Sequence, residues 1–370
     1  MQKVIVIGCG YGGAVCAWRL SAFRRQVEVT VLDKGANLNF LPLLPDSIGR
    51  KLPLENLVYP IRALAADYGF NFIRQEVKAI DLPAKTVFTS GQALDFDYLV
   101  VASGSETNFY GSQLFKERAY KLDDASDAQR IRQALERDDF EHYIIAGGGY
   151  TGIELAANLR RYFKRRKNIV IVERAPEILG PLPGWIKNYA AGNLKQLEVE
   201  VLPNCAIGGI EGRRVIACAG REFANAMLIW TAGVKTADFL QKLDVEKNPQ
   251  GRVKVDEFLR LNNSCFVIGD AAYFSYAGSF LRMAVQFAIA QGSIAAANII
   301  RSIKGGKSEK YQPRDLGYII PMANNRSCGN VLGVNVRGKP ATLLHYLMSV
   351  FRSPGWGNKL GIVKALLKAR

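Results

Sequence analysis

The sequence predicts an α/β fold with two related units, each built on a parallel sheet, and a separate C-terminal segment. Short apolar runs alternate along the chain with longer stretches of helical character, which is typical of parallel sheets covered by helices. A strand followed by a glycine-rich turn and a helix occurs twice, beginning at residues 4–13 and at residues 143–152. The last segment, residues 321–370, differs because it is basic and ends in two short amphipathic stretches.

The first unit opens with the apolar run VIVI, residues 4–7, followed at once by the glycine loop GCGYGG, residues 8–13. In this spacing the first glycine allows a tight turn, the second lets the backbone approach a pyrophosphate, and the third lets the helix pack closely on the strand. The next strand ends at Asp33, 20 residues after the last glycine. A carboxylate there can accept hydrogen bonds from a ribose 2′-hydroxyl, so the pattern predicts a Rossmann-like dinucleotide-binding domain.

The second unit repeats the arrangement from the run YIIA, residues 143–146, through the loop GGGYTG, residues 147–152. Its second strand ends at Glu173, 21 residues after the last glycine. The helix after each loop presents free N–H groups and the positive end of its dipole to phosphates. Two dinucleotide sites on one chain predict electron transfer between them, which for a single polypeptide usually means from NAD(P)H to FAD.

Further strands are predicted at residues 97–105 and 264–272, on either side of the second unit, so we predict that the second unit is inserted into the first. The predicted domains are a discontinuous FAD-binding domain (residues 1–108 and 236–320), an NAD(P)H-binding domain (residues 109–235) and a basic C-terminal segment (residues 321–370).

Composition excludes several classes of protein. At 370 residues and 49% hydrophobic content the chain resembles an ordinary globular protein. No stretch reaches the roughly 18 consecutive apolar residues that a transmembrane helix needs. The first strand begins at about Lys3, which leaves no room for a signal peptide and predicts a cytoplasmic protein.

Histidine and cysteine usage argues against metal or nucleophilic chemistry. Only two histidines, His142 and His345, are present, so neither a metal site nor a Ser-His-Asp triad is predicted. The six cysteines show neither metal-ligand nor disulfide spacing. We therefore expect small buried cysteines and a reaction that depends on bound cofactors.

The net charge of +16 is concentrated at the C-terminus. The last 70 residues hold thirteen Lys or Arg against two acids, a net charge of +11, and no acid follows Asp315. Two predicted helices, residues 341–351 and 359–370, combine apolar faces with these cations. This combination predicts contact with a membrane surface. The alternatives are solvated helices packed on their own domain, or packing on a sister chain in a homodimer.

Taken together, these residues resemble the two-dinucleotide-binding flavoprotein superfamily and, within it, the type II NADH dehydrogenases. The resemblance covers nearly the whole chain and is strongest at residues 8–13, 39–45, 97–105, 147–157, 230–234, 267–270 and 284–292. Members of that family are monotopic proteins that oxidise NADH through FAD and reduce a membrane quinone without pumping protons. The resemblance thus implies FAD and NADH as cofactors, a quinone as acceptor, and a place on the inner face of the cell membrane.

The resemblance also assigns cofactor-binding residues. For FAD these are Gly8, Gly10, Gly13, Asp33, Lys34 and Asp270. For NADH they are Gly147, Gly149, Gly152 and Glu173. Glu173 would favour NADH over NADPH because a 2′-phosphate would meet its charge, whereas the adjacent Arg174 could attract that phosphate.

Three further residues match family positions near the reacting groups. Glu154 matches a glutamate near the nicotinamide and flavin and is the predicted proton donor or relay; its alternative role is an acid that complements the helix dipole. Gln286 and Gln291 match glutamines that flank the flavin and the quinone headgroup; the alternative is that both cap backbone groups at the start of a helix. Ala290 stands where the family has another glutamine, which leaves the acceptor open.

Other functions remain as alternatives. Sulfide:quinone oxidoreductases and reductases of small electron-carrier proteins share the layout. Disulfide reductases need a redox cysteine pair near the first helix, which this sequence lacks. The basic run at residues 160–167 could touch nucleic acid, but its place at the end of a helix has a simpler explanation in the helix dipole. We therefore predict no nucleic-acid partner.

Overall fold

The computed structural model describes residues 1–137, 139–164 and 167–368. The chain divides into two compact units, each assembled from three chain segments. Unit 1 comprises residues 1–38, 59–106 and 235–315, and unit 2 comprises residues 39–58, 107–234 and 316–370.

The α-helices are α1 (Tyr11–Ser21), α2 (Leu44–Gly49), α3 (Ile61–Tyr68), α4 (Gln113–Arg118), α5 (Ala125–Arg137), α6 (Tyr150–Phe163), α7 (Gly184–Gln196), α8 (Asp238–Lys242), α9 (Val285–Ile303), α10 (Lys339–Arg352) and α11 (Trp356–Lys368). The strands are β1 (Gln2–Ile7), β2 (Val27–Asp33), β3 (Asn37–Asn39), β4 (Val58–Pro60), β5 (Asn71–Arg74), β6 (Val77–Asp81), β7 (Thr86–Thr89), β8 (Ala93–Asp95), β9 (Tyr98–Val101), β10 (Glu106–Thr107), β11 (His142–Ala146), β12 (Asn168–Val172), β13 (Glu200–Leu202), β14 (Ile207–Glu211), β15 (Arg214–Ala217), β16 (Glu222–Phe223), β17 (Ala226–Trp230), β18 (Val234–Lys235), β19 (Val253–Lys254), β20 (Cys265–Val267), β21 (Ala272–Tyr273), β22 (Ser275–Tyr276), β23 (Ser279–Phe280), β24 (Gly317–Ile320), β25 (Ser327–Val331) and β26 (Val334–Gly338).

Unit 1 is built on a five-stranded sheet with the order β20-β9-β1-β2-β5. All neighbouring strands are parallel, with Val4 beside both Val29 on β2 and Tyr98 on β9. Side chains alternate between two cores, so that Val4 and Val6 pack with α1 and α9, while Ile5 and Ile7 face the opposite core. The predicted α/β class with a parallel sheet is confirmed.

Unit 2 contains a second parallel sheet, with the order β13-β12-β11-β17. The antiparallel strands β14, β15 and β16 form a separate sheet. Helices α5, α6 and α7 contribute Ile131, Leu155 and Ile186 to one large core, in which Tyr143 of β11 is fully buried. The second strand–loop–helix unit predicted from the sequence is therefore present.

The two units divide the chain differently from the predicted domains at two places. Residues 39–58 and 316–320 lie in unit 2, although the sequence placed them in the FAD-binding domain, and residues 321–368 of the predicted C-terminal segment lie in unit 2 as well. The reason is packing, because Ile48, Met322 and Cys328 are buried in the same core as Tyr143.

The C-terminal segment forms the antiparallel sheet β24-β25-β26 followed by α10 and α11. Both predicted terminal helices are present, and α11 begins at Trp356 instead of residue 359. Ala369 and Arg370, which the prediction included, lie outside the described residues. Among the helices of the described part of the chain, none has the length and apolar character needed to cross a membrane.

The expectation that no cysteines pair is wrong for Cys205 and Cys218, which form a disulfide. Cys205 precedes β14 and Cys218 follows β15, and these two strands pair as an antiparallel hairpin. The hairpin brings the two Cα atoms to 5.0 Å, within the range that a disulfide requires. The other cysteines, as expected, are buried and unpaired: Cys9, Cys16, Cys265 and Cys328.

Candidate functional site

The glycine loop of unit 1 leads directly from β1 into α1. A Cβ atom added at Gly13 would lie 1.9 Å from the Gly8 carbonyl oxygen, and one added at Gly8 would lie 2.4 Å from the Ala102 carbonyl oxygen. The structure therefore requires glycine at both positions. Gly10 differs, since an added Cβ would meet nothing within 4 Å. Gly10 caps the N-terminus of α1 beside this open space, so the loop fits a bound phosphate group.

Asp33, at the end of β2, lies beside this loop. Its carboxylate accepts hydrogen bonds of 2.7 Å from the backbone N–H groups of Cys9 and Gly35. These donors fix the acid next to the glycine loop, where a ribose is expected. Lys34 follows at once but is 67% exposed, and its Nζ lies 3.4 Å from Glu106 Oε2.

Asp270 lies in a short 3-10 helix, Gly269–Ala271, just after β20. The Ser105 hydroxyl donates to its carboxylate at 3.2 Å. Burial raises the pKa of Asp270, while the positive charge of Arg252 and the Ser105 hydrogen bond oppose that rise. Arg252 is itself only 6% exposed and donates to the Ala272 carbonyl oxygen. The site thus presents a desolvated acid that is hydrogen-bonded by Ser105 and stabilised by the charge of a buried cation.

The two predicted glutamines lie on α9 of the same unit. Gln291 is 2% exposed, and its Oε1 accepts a hydrogen bond of 2.7 Å from the Gly269 N–H. It therefore supports the turn that carries Asp270. Gln286 lies at the start of α9, and its Nε2 donates to Asp315 Oδ1 at 3.0 Å. Only Gln291 is thus tied to the Asp270 turn.

The glycine loop of unit 2 repeats the geometry of the first. A Cβ atom added at Gly152 would lie 2.0 Å from the Gly147 carbonyl oxygen, whereas one added at Gly149 would meet nothing within 4 Å. The Thr231 hydroxyl donates to the Ala146 carbonyl oxygen at 2.9 Å and reaches that of Gly147 at 3.2 Å. This second loop, with Gly149 as the N-cap of α6, also fits a phosphate group.

Glu173 takes the same place in unit 2 that Asp33 takes in unit 1. Its Oε2 accepts from the Gly148 N–H at 2.6 Å, and its Oε1 accepts from the Ala175 N–H at 2.7 Å. The next residue, Arg174, is exposed. The structure therefore fixes the acid and leaves the neighbouring cation in solvent.

Glu154 lies in the first turns of α6 and is partly buried. Burial, together with the nearby charge of Asp46, raises the pKa of Glu154 well above its usual range. A carboxyl group in this environment holds its proton to higher pH than an exposed glutamate does. The sequence offered no sign of Asp46, because it lies on α2, about one hundred residues away.

The free thiols are poorly suited to redox chemistry. Burial raises the pKa of Cys9, Cys16, Cys265 and Cys328 to about 12, and the charge of Asp33 contributes at Cys9. A thiol with such a pKa holds almost no thiolate near neutral pH, and the thiolate is the nucleophile.

The basic run at residues 160–167 is in part structural. Arg160 is 6% exposed and donates to the carbonyl oxygens of Lys167 and Glu198 at 3.0 and 2.8 Å. Arg165 and Arg166 lie outside the described residues. The described part of this run therefore ties the end of α6 to neighbouring backbone.

Comparison with known proteins agrees with this geometry. A family model described as pyridine nucleotide-disulphide oxidoreductase matches residues 2–292. A type II NADH:quinone oxidoreductase from Staphylococcus aureus is 27% identical over 391 residues, which cover 96% of this chain and 97% of that protein.

Solved structures show the same fold. The structure of NDH2 from Plasmodium falciparum in complex with NADH superposes with a TM-score of 0.86 at 17% identity, covering 99% of this chain and 98% of that one. The sulfide:quinone oxidoreductase from Aquifex aeolicus gives a TM-score of 0.81 at 19% identity, covering 98% and 92%.

Proposed function

Since the chain belongs to the pyridine nucleotide-disulphide oxidoreductase family, we propose that it is an FAD-dependent NADH:quinone oxidoreductase that does not pump protons. The observation that carries this proposal is the duplicated glycine loop, each copy with an acid hydrogen-bonded to its backbone. The S. aureus relative, which aligns over nearly its full length, bears that activity in its name.

Unit 1 would hold FAD. The loop glycines Gly8, Gly10 and Gly13 and the N-terminus of α1 would bind the pyrophosphate, and Asp33 would bind the ribose. Asp270 would lie near the ribityl or phosphate region, with Gln291 holding its turn in place. When bound, FAD supplies an isoalloxazine ring that accepts a hydride and passes on two electrons.

Unit 2 would hold NADH. The glycines Gly147, Gly149 and Gly152 would surround its pyrophosphate, and the carboxylate of Glu173 would bind its adenosine ribose. Because Glu173 is fixed by two backbone donors, its negative charge meets any 2′-phosphate. The enzyme should therefore prefer NADH to NADPH.

We assign the reduction of the quinone to three residues: Glu154, Gln286 and Gln291. Glu154 would donate or relay the proton that quinone reduction takes up. The buried cysteines give little support to a sulfide-oxidising alternative. Their raised pKa values keep the free thiols protonated, whereas the thiolate is the reactive form.

An anaerobic two-step experiment tests the assignment. Addition of NADH to the purified protein should bleach the visible flavin absorption band, and a short-chain quinone added next should restore it. Bleaching without recovery would keep NADH as donor and exclude the quinone. Failure to bleach with NADH, combined with bleaching by sulfide, would contradict the proposal.

We also propose that α10 and α11 attach the protein to the inner face of the cell membrane. Exposed apolar side chains line both helices: Leu343, Leu347, Met348, Phe351, Trp356, Leu360, Val363 and Leu367. Lys359 lies over the rings of Phe351 and Trp356, at 5.7 and 5.2 Å from their centroids. Aromatic rings with cations beside them suit the headgroup region of an anionic bilayer.

A double variant, Phe351→Glu with Trp356→Glu, should bind anionic phosphatidylglycerol vesicles at least about tenfold more weakly. The reason is that these side chains are 73% and 79% exposed and would enter the interface. Vesicle sedimentation measures the effect, with Leu114→Glu, a similarly apolar position that is 45% exposed on α4, as control. Unchanged vesicle binding of the double variant would refute membrane attachment through these helices. The same holds if light scattering shows that the wild type and the Leu114→Glu control are dimers and the double variant is a monomer.

A further inference from the structure

A buried cluster of polar side chains in unit 2 surrounds Asp46, which is 2% exposed. Arg50 Nε lies 3.2 Å from Asp46 Oδ1, and the Tyr346 hydroxyl donates to the same oxygen at 2.8 Å. His345 Nε2 lies 3.9 Å from Asp46 Oδ2. The guanidinium and the phenol both stabilise the carboxylate form of Asp46.

Glu154 lies close to this cluster because α2 packs against α6. A Cβ atom added at Gly49 would lie 2.7 Å from Asn158 Cα, so the two helix backbones nearly touch. Asn158 in turn donates to the Glu154 carbonyl oxygen at 3.0 Å. Asp46 lies one turn before Gly49, and its charge acts together with burial to raise the pKa of Glu154.

The other titratable groups around the pair come from three helices. Arg50 belongs to α2, Arg161 to α6, and His345 and Tyr346 to α10. Burial and the charge of Arg50 lower the pKa of Arg161, while Tyr346 and Asp46 oppose that change. Helix α5 also packs on α2, but its acid Asp127 pairs with Lys121, at 3.3 Å.

We infer that Asp46 is a positioning residue for proton delivery: its charge, held in place by Arg50 and Tyr346, keeps the Glu154 carboxyl group protonated at neutral pH. Two carboxyl groups that share a desolvated region cannot both ionise easily. Asp46 has the stabilising donors, and Glu154 therefore keeps the proton. Tyr346 makes this arrangement depend on the docking of α10.

This role rests on the proposed function, which consumes one proton from solution. The overall reaction is NADH + H⁺ + quinone → NAD⁺ + quinol, in which NADH provides two electrons and one hydrogen. Glu154 would give its proton to a quinone oxygen and recover one from solvent. A glutamate with its ordinary pKa of about 4.3 would be ionised at pH 7 and could not do so.

The titration of Glu154 tests the inference directly. ¹³C-carboxyl NMR of the uniformly labelled flavoprotein, without substrates, gives its midpoint, and the signal is assigned by its loss in Glu154→Gln. In Asp46→Asn the midpoint should fall by about one pH unit or more, because the negative charge is removed. Asp127→Asn, which changes a similarly buried aspartate that faces Lys121, should leave it unchanged.

An unchanged Glu154 midpoint in a folded Asp46→Asn protein would overturn the inference. If that variant does not fold, Tyr346→Phe decides, because loss of the hydroxyl donor makes Asp46 easier to protonate, so the Glu154 midpoint should fall. An unchanged or higher midpoint there would equally overturn the inference. As an activity readout, the rate of flavin reoxidation by quinone in Asp46→Asn should decline at lower pH than in wild type, with the rate of reduction by NADH unaltered.

The outcomes remain separable from the proposed function. A wild-type protein that fails to pass electrons from NADH to quinone contradicts the function, whatever the NMR midpoint is. If the wild type is active but the Glu154 midpoint is the same in wild type and Asp46→Asn, only the role of Asp46 is contradicted.

Discussion

A Gly13→Ala variant should purify with about one-tenth or less of the wild-type flavin. The added methyl group would lie 1.9 Å from the Gly8 carbonyl oxygen, so the loop or the start of α1 must move. That movement would displace the backbone N–H groups that face the pyrophosphate, and a hydrogen bond to a charged group is worth about 1.5–3 kcal/mol. Loss of a single such bond already weakens binding roughly tenfold.

The ratio of visible flavin absorbance to protein absorbance measures this directly. The matched control is Gly192→Ala on α7, where an added Cβ would meet nothing within 4 Å and no loss is expected. A folded Gly13→Ala protein with full flavin content would show that this loop does not bind the cofactor.

A Gly152→Ala variant should show the opposite pattern. Its methyl group would lie 2.0 Å from the Gly147 carbonyl oxygen and 3.1 Å from the Thr231 hydroxyl, so the second loop must move in the same way. We expect normal flavin content and an apparent Kd for NADH raised at least about tenfold, for the same energetic reason.

Anaerobic titration of flavin reduction with NADH measures that Kd, and dithionite should still bleach the flavin fully. Loss of flavin in Gly152→Ala, with NADH binding unaltered, would mean that the two sites are assigned the wrong way round. The pair of variants thus places the same steric change in each loop and reads out each site separately.

Local patterns made much of this fold predictable. In each unit the first strand, the glycine loop and the acid (Asp33 or Glu173) lie within about thirty residues of one another, so their spacing carries the information. The structure adds that each acid binds the N–H group just after the first loop glycine, at Cys9 and at Gly148.

Long-range contacts could not be predicted in this way. Asp46 and Tyr346 are 300 residues apart, and each alone is an ordinary polar residue in an amphipathic segment. Arg252 likewise lies in a stretch without a motif, although its buried positive charge lowers the pKa of Asp270. Such pairings arise only when packing brings separate helices together, and a single sequence does not encode their register in any periodic pattern.

The disulfide was missed for a related reason. Cys205 and Cys218 are separated by 13 residues, a distance that matches no familiar cysteine motif. Their pairing depends on the hairpin β14–β15, whose register sets the two ends side by side. Residues 39–58 lie in unit 2 for a related reason, because the core into which Ile48 packs is built from much later parts of the chain.

The division of each unit into three segments has a consequence for biosynthesis. The sheet of unit 1 lacks its edge strand until β20 has been made, and α1 lacks its packing partner α9, which ends at Ile303. The core of unit 2 is likewise incomplete until Met322 and Cys328 have been synthesised. Neither unit can therefore fold to completion while the first half of the chain emerges from the ribosome. Many multidomain proteins fold their N-terminal domain first during synthesis, but this chain cannot do so. Apolar side chains of the nascent chain therefore stay exposed for most of translation, because their packing partners have not yet been synthesised. We expect chaperones to matter more for this protein than for one whose domains are each a single continuous segment.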